Sequence, residues 1–348
     1  MFKPDYQNLL NAALNRKSDR MPLYEHFIND TFMEKLTGKK FASLIAGDYT
    51  DKLEYFRVFC AYFKDLGYDC VSYEGCVGPI MPGSGALSGI AEGVIKTRED
   101  FEAYPWEEIT SIFFKAFTDN FKALRQQMPE GMKAAGGVGN GIFECVQDVV
   151  GFENLCLIRA DDEDLYKDLF TKVGDMLCDI WARFLPEFGD IFCVCRMGDD
   201  LGFKSSTLLS ADDIRQHIIP QYKRVADIIH GHNKPFVLHS CGNIFNIMED
   251  LITVAGINAK HSNEDAIAPF SKWIDDYGTR IANFGGIDTD ALCDVNPCDI
   301  VEYTTNAYNV CAAKGYGVAI GSGNSIPEYV SVDRYTTALE VIRRLRGE

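Results

Sequence analysis

Eight short apolar runs, each followed by a longer stretch with helical spacing, recur along this chain of 348 residues. They cover residues 21–26, 69–74, 133–139, 191–197, 235–240, 257–262, 280–287 and 317–321. Runs such as Ile191-Phe-Cys-Val-Cys195, Pro235-Phe-Val-Leu238 and Gly317-Val-Ala-Ile320 are apolar at consecutive positions, so both faces of each strand need covering. Strands of that kind belong in a parallel sheet flanked by helices, and the alternation is that of βα units. Eight units at this length suit a closed (β/α)8 TIM barrel better than an open doubly wound sheet. The chain, 1–348, is expected to be that single domain, with residues 1–20 as an N-terminal helical extension. Further helices are expected over 49–66, 269–277, 300–313 and 332–346, and over 210–232, opened by a capping box from Ser210 to Asp213. The stretches 100–127 and 148–188 have room for two helices each. Gly136-Gly-Val-Gly-Asn-Gly141 lies in the third unit without the G-x-G-x-x-G spacing, so a dinucleotide fold is disfavoured and a packed layer or an active-site turn expected.

A net charge of −17 repels phosphate backbones, and no basic patch offsets it, which excludes nucleic acid as a partner. No run approaches the roughly 20 apolar residues that span a bilayer. The first 20 residues carry charges through an amphipathic pattern rather than an apolar signal core, so no membrane role and a cytoplasmic location are expected. Cysteines such as Cys60, Cys70, Cys193 and Cys311 sit inside apolar stretches and read as reduced core thiols, in keeping with a reducing, anaerobic cell.

In a barrel the carboxyl ends of the strands converge on one mouth. The sequence places unusually polar residues there. Glu25, Glu74, Asp199 and Asp200 are candidate catalytic carboxylates, and the adjacent aspartates can raise one another's pKa. Equally, one aspartate caps a turn while the other pairs with Arg196 or Lys204. His26, Tyr73, Asn140, Arg196, Asp288 and Asn324 are candidate contacts for a small-molecule substrate. Residues two apart on a strand face the same side, so His239 and Cys241 offer zinc an imidazole and a thiolate together. His261 and Glu264 are the further candidate ligands, with Glu25 and Glu74 behind them. The plainer alternative is a packing cysteine beside a hydrogen-bonding histidine.

Several segments resemble the uroporphyrinogen decarboxylase superfamily, in particular its branch of cobamide-dependent methyltransferases. They are Met197-Gly-Asp-Asp-Leu-Gly-Phe203, Leu209-Ser-Ala-Asp-Asp213, Ile219-Pro-Gln-Tyr222, Phe236-Val-Leu-His-Ser-Cys-Gly-Asn243, Phe284-Gly-Gly-Ile-Asp288 and Ala319-Ile-Gly-Ser-Gly-Asn324 with Ile326-Pro327. The resemblance implies the same barrel, a zinc ion on His-x-Cys and a later cysteine, and a corrinoid carried by a partner protein. Two departures stand out. The decarboxylases open with an arginine-rich motif that grips substrate carboxylates, whereas this chain reads Met21-Pro-Leu-Tyr-Glu-His26. Asn324 stands where the later cysteine is expected, and an amide is a poor zinc ligand. The favoured expectation is therefore a methyltransferase that activates an O- or N-methyl group for transfer to a corrinoid protein. A decarboxylase of a porphyrinogen or smaller carboxylate comes second, and a non-catalytic small-molecule binding protein third. The decarboxylase relatives also imply a homodimer.

Overall fold

The computed structural model describes residues 2–293 and 298–348. Seven parallel strands form one sheet in sequential order: β1 (Cys70–Cys76), β2 (Lys133–Gly139), β3 (Phe192–Gly198), β4 (Phe236–His239), β5 (Ala259–His261), β6 (Ala282–Ile287) and β7 (Val318–Ser322). Each matches an expected run. The helices match as well: Tyr49–Asp65, Arg98–Ala103 with Ile109–Gln127, Phe152–Asp161 with Glu163–Phe188, Phe270–Tyr277, Ile300–Lys314 and Val332–Leu345. Ser210 accepts from the Asp213 amide as the capping pattern predicts. A π-helical turn, Ile214–Ile218, then precedes the helix Ile219–Gly231, where Pro220 has no N–H to bond back into the preceding turn.

The first expected strand is the exception. Residues 21–26 meet β7 through Tyr24 N to Ile320 O at 3.0 Å and Ile320 N to Pro22 O at 3.0 Å, an isolated bridge rather than a strand. Pro22 lacks the N–H that would extend this ladder toward the start of β7. Among the described residues no backbone hydrogen bond joins the segment to β1; Ser72 Oγ donates to the His26 carbonyl at 2.6 Å instead. The expected closed eight-stranded barrel is thus a curled seven-stranded sheet with this segment in the eighth place.

Two apolar layers hold the sheet. The larger lies between strands and helices and includes Trp181, Phe184, Leu238 and Trp273. The smaller fills the interior at the start of the strands with Cys70, Ala135, Val237, Ala259, Ala282, Phe284 and Ala319. Leu9, Ala12 and Ala13 of the helix Gln7–Ala13 join it from below.

Candidate active site

Strand parity decides which polar side chains meet above that plug. Tyr24 and His26 point inward: the Tyr24 ring lies 4.9 Å from Phe284, and His26 lies face to face on His239, centroids 3.7 Å and planes 13° apart. On β1, Ser72 and Glu74 point inward and reach Arg196 on β3.

A chain of histidines follows. His239 Nδ1 lies 2.7 Å from His261 Nδ1, and His261 Nε2 lies 2.9 Å from the Ser322 carbonyl. A carbonyl oxygen only accepts, so the hydrogen-bond network assigns the His261 proton to Nε2. Burial, with nearby Lys260 and Arg196, pushes His261 down to about 3. Burial, then the neighbouring His261 and, after it, Arg196 and Lys260, also holds His239 well below the usual histidine range. Both rings are therefore neutral. His261 Nδ1 is bare, His239 Nδ1 carries its proton, and His239 Nε2 is left with a free lone pair. That lone pair faces Cys241 Sγ at 3.4 Å and Asp200 Oδ1 at 3.6 Å. Donor atoms of Asp200, His239 and Cys241 lie within 4.8 Å of one another, as do those of His26, His239 and His261. Asp200 is held in place by the Cys241 amide, 2.9 Å from its Oδ1. Burial, then Asp200, raises the Cys241 thiol well above its ordinary range. Left alone it stays a thiol, and a bound cation is what would make it a thiolate. Asn324 Nδ2 sits 3.3 Å from the same sulfur.

Beside the histidines lies a buried ion pair. Arg196 Nε and Nη2 donate to Glu74 Oε2 at 3.0 and 2.7 Å, and Nη1 donates to Ser72 Oγ at 2.6 Å and Tyr24 OH at 3.1 Å. The guanidinium is committed to its neighbours.

Of the expected site residues, His26, Glu74, Arg196, Asp200, His239, Cys241, His261 and Asn324 gather here. Others do not. Asp199 is fully buried and accepts from the Phe143 and Glu144 amides at 2.9 and 2.8 Å and from Tyr222 OH. It thereby caps the helix Ile142–Val150, and a Cβ on the preceding Gly141 would come within 2.2 Å of Asp199 Cβ. Burial lifts Asp199 to about 6, yet its oxygens are taken, so it anchors a helix rather than serving as the expected acid. Glu25 points outward, where it accepts from Tyr68 OH at 3.1 Å and the Ser322 amide at 3.2 Å, and burial raises it to about 7. Tyr73 also points outward, packed on Phe56 at 4.9 Å and accepting from Asn120 at 3.0 Å. Asp288 caps Thr289–Leu292 and accepts from the Asp265 amide at 2.6 Å. Glu264 lies outside both clusters of ligand atoms, and Asn140 braces a loop, accepting from the Gly78 amide at 3.1 Å. Of the glycine run, Gly136 and Gly137 serve packing: Cβ atoms there would meet Tyr73 O at 2.0 Å and Trp181 at 2.9 Å.

Two further residues bear on the site, neither of them given a role from the sequence. Glu144 accepts from Asn140 Nδ2 at 2.9 Å and the Asp200 amide at 3.2 Å, and burial, then Asp199 and Asp200, pushes its carboxyl well above the usual range. Lys260 is buried with Nζ 3.7 Å over the Trp273 ring, and burial lowers it to about 7. A lysine inside the apolar run 257–262 was the available signal.

No helix is long and apolar enough to cross a membrane, among the described residues. Among solved structures, a methyltransferase from Methanosarcina mazei aligns over 97% of this chain and 98% of its own at 15% identity, with a TM-score of 0.69. An endo-1,4-beta-mannanase from Rhizomucor miehei aligns over 95% and 99% at 11% identity, with a TM-score of 0.51. At such identities the likeness establishes the fold alone, and these unlike activities share it. No protein with a curated description matches. The family model described as uroporphyrinogen decarboxylase (URO-D) matches residues 59–345, nearly the whole of the sheet and its helices, and the chain belongs to that family.

Proposed function

We propose that this chain is a methyltransferase that activates an O- or N-methyl group of a small molecule for transfer to a corrinoid held by a separate protein at the mouth. The observation that carries the reading is the convergence of the bare His239 Nε2 on Cys241 Sγ and Asp200 Oδ1. Nitrogen, sulfur and carboxylate oxygen are the donor types zinc takes, and three such ligands would leave room for substrate on the ion. His239, Cys241 and Asp200 would hold the ion, with Asp200 taking the place expected for Glu264. His261 acts behind them: its bond to His239 Nδ1 fixes the ring and its tautomer. When bound, zinc supplies a Lewis acid for a departing oxygen or nitrogen, which leaves with the bonding electron pair and is otherwise a poor leaving group. The chain's own residues set up the rest. His26, stacked on His239, limits which way the ring can turn, and the Arg196–Glu74 pair forms the adjoining wall.

A decarboxylase acting on a polycarboxylate needs cations free to receive it, and Arg196 is bound to Glu74. The family membership alone favours that reading. Metal analysis after dialysis against zinc decides between them. The wild type should keep about one ion per chain, and His239→Ala should keep at least tenfold less. With a methylated substrate, Co(I) cobalamin should be converted to the methylated form, followed by absorbance. A protein that retains no zinc and methylates no corrinoid ends this reading.

A further inference from the structure

The gap between the residue 21–28 segment and β1 opens into a cavity of about 100 Å³. One wall is aromatic: Tyr55 stacks on Phe59 with centroids 5.7 Å apart, and Phe59 meets Tyr73 edge-on at 6.0 Å. Phe27, 49% exposed, also lines the cavity. Two carboxylates, Asp30 and Glu74, line the cavity against one guanidinium, Arg196. That guanidinium is already bound to Glu74. Asp30 accepts only from Tyr55 OH, at 2.9 and 3.0 Å, and no ion pair includes it among the described residues. Burial lifts its carboxyl to about 6, the mark of an acid drawn out of water without a countercharge. The cavity also abuts the histidines. Ser72 in its wall donates to the His26 carbonyl at 2.6 Å, and His26 lies on His239.

Aromatic faces with an uncompensated carboxylate are what a desolvated organic cation needs, since the ring quadrupoles and the acid both attract it. Size narrows the choice. A closed cavity of roughly 150 Å³ takes a benzene ring, so this one, about 100 Å³ and open to solvent beside Phe27, suits a compact group rather than an extended one. We propose that the pocket receives a compact alkylated ammonium group, which makes the substrate of this site a small organic cation. The substrate assignment rests on the methyltransferase reading; the binding of the cation does not.

The probe is tetramethylammonium chloride, titrated calorimetrically into the full chain at fixed ionic strength, with tert-butanol as a neutral compound of similar size. Saturable binding of the cation and none of the alcohol is expected. Asp30→Asn should weaken the cation about tenfold, and Phe59→Leu should weaken it several-fold, with melting curves showing both variants folded. Equal uptake of the two probes, no saturable binding by wild type, or unchanged affinity in folded Asp30→Asn would overturn the proposal. Cation binding by a protein that keeps no zinc and methylates no corrinoid would uphold the pocket and remove the methyltransferase reading. Zinc retained without cation binding would do the reverse.

Discussion

The two ends of the strand bundle use the same strands for opposite ends. Low in the interior, Val237 on β4 and Ala259 on β5 are packed with Cys70, Ala282 and Phe284. Two residues further on, the same faces carry His239 and His261, hydrogen-bonded to one another. About 7 Å of strand separates the two layers. The lower layer stabilises by burying apolar surface. The upper layer gives up that gain to hold polar groups, and those stay tolerable because nearly every one has a partner. Stability and chemistry can therefore be disturbed separately.

Emptying the lower layer should have the largest effect. Phe284→Ala is expected to destabilise by about 4 kcal/mol in denaturant titrations, while zinc content per folded chain stays unchanged. A parallel loss of metal would show that the two layers are not independent. Asp199→Ala tests the boundary between them. It strips a helix cap and leaves Tyr222 OH and two amides without their acceptor, which should cost about 3 kcal/mol. Glu25 gives a pH signature at the seam with β7, where it accepts from the Ser322 amide. Its folded pKa, about 7, lies above the ordinary 4.5, so the folded state holds the proton more tightly than the unfolded chain. The contribution is fully present below pH 4.5 and is lost as pH rises through 7, amounting to at most about 3 kcal/mol. Melting curves at pH 5 and pH 8 should diverge for the wild type and converge for Glu25→Gln. The smallest change in stability, within about 0.5 kcal/mol, belongs to Asp200→Asn. That same variant should lose at least tenfold in zinc retention, and it would collapse the contrast with Asp199 if it instead unfolded the protein.

Much of the fold is legible in the sequence because both-face apolar runs and capping residues act locally. The Ser210 cap and seven of the runs need no long-range information. The eighth run has the composition of a strand, but its ladder depends on where Pro22 falls against β7, which no local pattern encodes. At the site, residue type was readable and direction was not. Glu25 and His26 are neighbours, as are Tyr73 and Glu74, and in each pair one side chain turns inward and the other toward the helices. A single step of parity separates a mouth residue from a core residue. Asp199 and Asp200 differ for another reason: the first is claimed by two helix amides that lie 55 or more positions away in sequence.

The Ser322 carbonyl has a reach beyond its own strand. Were β7 to draw back, His261 would lose its acceptor and its hydrogen could settle on the other nitrogen. His239 would then have to turn its own hydrogen toward Cys241, and an electron-pair donor would become a blocked one without any side chain changing place. The electron pair at the mouth would in that case depend on how the chain's first segment and last strand sit against one another.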